Sequence, residues 1–297
     1  MDSAEKKFYQ DCDAAFEIAC PPSWEIREAS WGSSGAWQTL PKELGDQLSA
    51  MLERGQRRGT LEIGGKPLEV DFQQMVAVSA GRRPLNLRKV CHQPSIDKKN
   101  VRAFYGRYCS EVPPADHPAG PDGIAGEQFL QFFQDIEVDP GSDVLALAIA
   151  SACKASEMGV FRRREFICGC ATLEADSLDA LKRKLPELRQ AIQDSSRQAL
   201  EEVYHYTFGV ALEPPSKVLP IEEAAAYWAL LLPRWPLREP FVQWAMTNMK
   251  GINRDLWNMV LKFANEVQTD LSNYDENPAW PVALDNFVEH YREQSGL

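Results

Sequence analysis

Residues 253–291 read NRDLWNMVLKFANEVQTDLSNYDENPAWPVALDNFVEHY, and their pattern decides the fold of the larger part of the chain. The run opens on a helix extending over 253–271, passes through a tight polar turn at 272–278, and closes on a second helix that folds back on the first. Pro281 opens that second helix, which continues to Tyr291, because the first turn needs no N–H from it. Trp257, Trp280 and Phe287 read as core. Asp255 falls in the first turn of one helix, while Ala279 and Asp285 flank or follow the start of the other. Two carboxylates then share one surface with a methyl group between them, leaving room for a Lys or Arg side chain to enter. The alternative for Asp255 taken alone is compensation of the helix dipole.

Working back from this stretch, helical periodicity persists to about Asp97. Phe129, Phe132, Phe133 and Ile136 recur at helical spacing, and Asp139-Pro140-Gly141 stops them. VLALAIASACKA at 144–155 is apolar nearly all round and so central to its domain. Leu178, Leu181, Leu185, Leu188 and Ile192 follow Ser177, a candidate N-cap. The stripe Leu200, Val203 and Phe208, then 221–232 and 241–249, complete an all-α domain of roughly 200 residues. Between Trp24 and Val90 the pattern is different: Gly-rich and interrupted, with GSSG at 32–35, Gly64-Gly65, and partial alternation in LEVDFQQM at 68–75. The division falls near 90–97.

The chain has 297 residues, 32 basic and 43 acidic, a formal charge of −11. A surface this acidic does not release counterions from a phosphate backbone, which argues against nucleic acid as a partner. Residues 1–90 carry 12 basic and 13 acidic side chains, and 255–297 carry 2 against 8. The C-terminal end therefore suits a basic partner or is a solvated acidic face. No run of 18 apolar residues exists and the start MDSAEKKFYQ has no apolar h-region, so neither a membrane span nor an export signal is expected. Seven scattered cysteines fit reduced thiols in cytosol or nucleus.

Catalytic signatures are sparse. The phosphate-loop, dinucleotide, zincin and serine-hydrolase patterns are all missing from the sequence, and its four histidines stand far apart. Cys168-Gly-Cys170 has no second pair to complete a metal site. The stretch 116–126 is acidic and Gly-rich like a calcium loop, but Pro118 and Gly120 stand where oxygen ligands belong. No metal and no cofactor are expected.

With those residues in place, the chain resembles the defective-in-cullin-neddylation family, defined by the potentiating-neddylation domain. The resemblance covers about 97–292 and rests on WNMVLKFA, DLSNYDENPAWPVALDNFVE, DGIAGEQFLQFFQDIEVDP (122–140), EVYHYTFGVA (202–211) and IEEAAAYWALLL. It implies a helical bundle containing paired EF-hand-like units without calcium. It also implies a noncatalytic scaffold that assists transfer of the ubiquitin-like modifier to a cullin lysine. Its partners would be the cullin C-terminal domain and the N-acetylated neddylation conjugating enzyme. The cullin-binding residues would be Asp255, Ala279 and Asp285. A pocket for the acetylated Met would be formed by Phe129, Pro140, Met158, Phe161, Tyr227 and Leu230, with Leu145, Ala148 and Ile149 from the central helix. Two departures stand out: the family's central-helix Trp is replaced at Ala150-Ser151, and the segment 139–161 is one residue longer.

Residues 24–90 resemble a WWE domain, a small half-barrel with one helix. The residues carrying this are Trp24-Glu25, Gly35-Ala36-Trp37-Gln38, LSAMLERGQ (48–56) as the helix, TLEIGGKPLEVDFQQM (60–75), and the basic end Arg82-Arg83 to Arg88-Lys89. Ser49 replaces the helix Glu of that signature. WWE domains read iso-ADP-ribose or bind protein partners; here Leu68 and Ala77 stand at two polar ligand positions, which implies a protein partner. The organisation expected is an α+β two-domain chain: an extension (1–23), a WWE-like half-barrel (24–90), a linker (91–100), and an all-α potentiating-neddylation bundle (101–292). Cytoplasm and nucleus are the expected locations. The rival reading is a hydrolase using Cys153 or Cys168.

Overall fold

Alternation over 58–71 builds the first hairpin of a six-stranded antiparallel sheet. The computed structural model describes residues 3–28, 36–63, 66–79, 84–90, 94–109, 123–193, 197–275 and 280–295. Its two units are Phe16–Ser95 and, together, Met1–Ala15 with Ile96–Leu297. The GSSG run, Gly64-Gly65, Arg82-Arg83, most of 116–126 and Ala279 lie outside the described residues.

In the sheet unit, strands β1 (Ser23–Glu28), β2 (Gln38–Thr39), β3 (Arg58–Ile63), β4 (Lys66–Asp71), β5 (Val76–Val78) and β6 (Leu85–Val90) take the order β2-β1-β6-β5-β4-β3. Period two places Leu68 and Val70 on the buried face of β4, with Glu69 on the outer one. One helix, α2 (Lys42–Glu53), covers the inner face, where Trp24, Leu48, Leu61 and Leu87 form the core. The Trp24 indole donates to Ser49 Oγ at 2.9 Å. The helix predicted at 48–56 thus begins six residues earlier. Pro41, which cannot donate, precedes it, and its carbonyl accepts from Leu44 and Gly45 at 3.1 and 3.0 Å.

The larger unit contains α1 (Ser3–Ala19, as far as Ala15), α3 (Lys98–Gly106), β7 (Gly123–Ala125), α4 (Glu127–Asp135), α5 (Val144–Cys153), β8 (Val160–Arg162), α6 (Arg163–Thr172) and α7 (Leu178–Gln193). It continues through α8 (Arg197–Ala211), β9 (Val218–Pro220), α9 (Ile221–Leu231), α10 (Arg238–Asn248), β10 (Gly251–Asn253), α11 (Arg254–Glu266) and α12 (Val282–Ser295). The all-α expectation needs correction here, because two antiparallel strand pairs, β7 with β8 and β9 with β10, tie the helices together. Each strand has three residues, too few for any alternation to register. Each leads into a helix. Among the described residues, no helix is long and apolar enough to cross a membrane.

The expected N-terminal extension is instead a helix packed on this unit. Phe8, Cys12 and Ala15 are buried, the Phe8 ring lying 6.0 Å from that of Tyr105. Asp11 is also buried, between Arg163 at 3.1 Å and Arg164 at 2.6 Å. Two further ion pairs, Lys98 with Asp13 and Arg102 with Glu5, join α1 to α3. The predicted linker ends early as well: Asp97 caps α3 by accepting from the Lys99 N–H at 2.7 Å, and its own N–H reaches Asp176 at 3.0 Å.

The core of this unit is aromatic. Tyr204, Trp228 and Trp257, from α8, α9 and α11, are 0% exposed and stack with centroids 4.4 Å (Tyr204–Trp257) and 5.6 Å (Trp228–Trp257) apart. Their polar atoms are satisfied internally. The Tyr204 hydroxyl donates to the Trp257 carbonyl at 2.8 Å and accepts from Trp228 Nε1 at 3.0 Å, while Trp257 Nε1 donates to the Tyr204 carbonyl at 3.1 Å. This network sets α11, and hence Asp255 two residues before Trp257, against the rest of the bundle.

Candidate functional site

Asp255 sits in the first turn of α11, exposed. The helix starts where it does because Asn253 ends β10 and turns its side chain back, accepting the Leu256 N–H at 2.9 Å. Gly251 makes the preceding approach possible: a Cβ there would stand 2.6 Å from Val218 Cγ1 and 2.7 Å from the Leu219 carbonyl oxygen. No ion pair engages Asp255 among the described residues, so its charge is presented to solvent.

Asp285, in the first turn of α12, is half-buried and accepts a short hydrogen bond from the Tyr274 hydroxyl. The Tyr274 ring is stacked on Trp280, with centroids 5.9 Å apart and planes at 25°, and it lies 5.9 Å from Phe263. The turn before it is fastened by side chains. Asn273 accepts from the Gln268 N–H at 2.8 Å and donates to the Glu266 carbonyl at 2.7 Å. The Ser272 N–H, and secondarily its hydroxyl, hold the Asp270 carboxyl below the usual range. Tyr274 is a residue the sequence reasoning missed; its signal was a lone aromatic in a polar turn followed 11 residues later by Asp285. Ala279 lies outside the described residues.

The second set of site residues divides. Phe129, Pro140, Met158 and Phe161 line one cavity of about 490 Å³ between α4, α5 and the approach to β8. From α5 that cavity receives Ala146, Leu147 and Ala150, so the expected Leu145, Ala148 and Ile149 are displaced in register. Those three are buried elsewhere, at 1%, 2% and 1% exposure. Leu230 lines a separate cavity of about 220 Å³ with Trp235, Ile192 and Leu200, and Leu145 a third with Leu185 and Arg189. Tyr227 is half-buried on α9, where burial and, secondarily, the Glu223 carboxylate push its hydroxyl upward. The geometry therefore assembles four of the nine and not the remaining five.

Neither thiol of the rival reading has the surroundings of a nucleophile. Cys153 and Cys168 are 3% and 2% exposed, and burial pushes the Cys153 thiol well above its ordinary value, the reverse of activation. Among the described residues, no group of three or more His, Cys, Asp or Glu side chains converges as metal ligands would.

A family model described as "Cullin binding" matches residues 180–290, the span that holds Asp255 and Asp285. DCN1-like protein 5 of Bos taurus is 37% identical over 177 residues, 59% of this chain and 74% of that protein. The chain belongs to the DCN1-like protein family. DCN1-like protein 4 of Homo sapiens is 38% identical over 200 residues, 66% of this chain and 67% of its own. DCN1-like protein 4 of Drosophila melanogaster is 31% identical over 252 residues, 82% of this chain and 96% of the relative.

Proposed function

We propose that this chain is a scaffold that binds a cullin and promotes its neddylation. The observation that carries this is family membership joined to the site it encloses: an unpaired carboxylate on α11 and a tyrosine-held one on α12, both within the cullin-binding match. Asp255, Ala279 and Asp285 form the contact in this reading, receiving a basic side chain of the cullin C-terminal domain. The acidic excess over 255–297, 8 against 2, favours the approach of such a partner.

In the same reading the 490 Å³ cavity holds the acetylated N-terminus of the neddylation conjugating enzyme. What supports this is its lining, three Phe rings and aliphatic groups whose one acid, Glu157, is paired with Arg162 at 3.0 Å. A free amine entering such a wall loses its water without gaining a counter-charge. The scaffold needs no catalytic residue of its own: holding enzyme and cullin together raises effective concentration and fixes alignment.

We read the two helix–strand–helix pairs as EF-hand-like units serving packing, without calcium, and the sheet unit as WWE-like with a protein partner. Supporting the latter, Leu68 and Ala77 point into the apolar core, and Arg88 is committed to Glu25 at 2.7 Å and to the Trp37 ring at 4.2 Å. Cytoplasm and nucleus remain the proposed locations. The deciding experiment measures cullin neddylation by purified components with and without the full chain. Stimulation that survives replacement of all seven cysteines supports the scaffold; loss of stimulation on that replacement favours the hydrolase.

A further inference from the structure

The α5 wall of the 490 Å³ cavity is low at Ala146 and Ala150, which stand one helical turn apart and offer only methyl groups; Leu147 is the one larger side chain α5 adds, and Gly126, Gly141 and Gly159 add none. The opposite wall cannot close the gap. Phe129 lies 4.8 Å from Phe133 and 5.1 Å from Phe161 (ring centroids), and Phe133 and Phe161 are 0% and 1% exposed. A cluster packed that tightly holds its rotamers, so the volume is built into the fold. The space, about 490 Å³ and open at its mouth, is larger than a single unbranched side chain needs. At the mouth Leu130 and Met158 remain 58% and 40% exposed, apolar surface for the residues that follow.

We infer that Ala150 is a specificity-determining residue: it leaves the cavity open to N-acylated chain ends led by residues larger than Met, aromatic ones included. The inference rests on the reading of this cavity as a receptor for an acetylated terminus. An aromatic first residue meets the Phe129 ring, which already packs at tilts of 50° and 47° against Phe133 and Phe161. The site then selects for an uncharged apolar terminus and does not measure the shape of Met.

The test is a peptide series on the full-length protein, identical except for the first residue: acetyl-Met, acetyl-Leu, acetyl-Phe and acetyl-Trp, with affinities measured by fluorescence polarisation. Wild-type protein is expected to bind the Phe- and Trp-led peptides within about threefold of acetyl-Met or tighter. Ala150→Leu, which adds three carbon atoms to the wall, is expected to weaken those two about tenfold or more beyond any loss it causes for acetyl-Met. Discrimination of tenfold or more against Phe in the wild type overturns the inference even if the variant fails to fold. A variant that affects all four peptides alike, or none, overturns it too. If acetyl-Met itself does not bind, the reading of the cavity falls and takes the inference with it; if acetyl-Met binds and the ranking is wrong, only the role of Ala150 falls.

Discussion

Tyr204→Phe removes one oxygen and leaves the ring. That oxygen accepts from Trp228 Nε1 at 3.0 Å and donates to the Trp257 carbonyl at 2.8 Å. Trp228 is 0% exposed, so no water replaces the lost acceptor. A buried donor without a partner costs about 1–3 kcal/mol. The Trp257 carbonyl keeps the intrahelical bond its position in α11 supplies and adds little. A loss of roughly 2 kcal/mol lowers the Tm of a domain of about 200 residues by about 4–8 °C. Urea denaturation followed by tryptophan fluorescence measures it. The informative companion is the cycle with Trp228→Phe: removing both polar partners leaves no stranded donor, so the double variant should lose about 1 kcal/mol less than the sum of the singles. Tyr204→Phe within 0.5 kcal/mol of wild type, or strict additivity, would refute the claim that this hydroxyl locks α8, α9 and α11 together.

Asp255→Ala should lower cullin affinity by tenfold or more with Tm unchanged, Asp285→Lys should do so with a lower Tm because it strands the Tyr274 hydroxyl, and Tyr274→Phe should weaken binding a few fold, because it frees the carboxylate it orients; calorimetry with a cullin C-terminal domain reads all three. An N-acetylated Met-led peptide should bind more than about threefold tighter than its unacetylated form, above roughly 0.7 kcal/mol. Met158→Asp should erase that difference, and Leu230→Arg, placed in another cavity, should leave it; the opposite pattern would relocate the pocket. Calorimetry of the full chain with iso-ADP-ribose should show no micromolar binding, since Arg88 is held by Glu25. Finally, burial pushes the Cys12 thiol up to about 11 from its ordinary 9.0. A raised pKa stabilises the fold below the unfolded value and loses that contribution as pH climbs through the folded one, so stability should fall between about pH 9 and pH 11. Cys12→Ala should flatten that slope in alkaline denaturation curves.

How much could be read in advance depended on whether a signal was local. The helices from 129 onward carry their periodicity in their own residues, and the structure keeps them with shifted ends: 253–271 contracts to Arg254–Glu266, and 241–249 grows to Arg238–Asn248. Trp257 and Phe287 are core as read, both 0% exposed, while Trp280 is half-buried. Helix α1 has local periodicity in Phe8, Cys12 and Ala15, but what it packs on was not legible, because Asp11 meets Arg163 and Arg164, 152 and 153 residues away. Where α5 is apolar on every side, periodicity cannot say which residues face a void, and the cavity lined by Phe129, Pro140, Met158 and Phe161 receives Ala146, Leu147 and Ala150 from that helix and not Leu145, Ala148 or Ile149.

Gly251 has a bearing on how variation in this chain is interpreted. It has no side chain of its own, yet any side chain there would push β10 off Val218 and Leu219 and carry the start of α11 with it. A substitution at this position would register in an assay as a lost charge, although Asp255 would still be present in the sequence. A survey of alleles that scored only surface residues would pass over it, and a complementation screen would group it with the aspartates. The helix start is thus inherited through a position that has no side chain, and the surface charge is only as well placed as that contact allows.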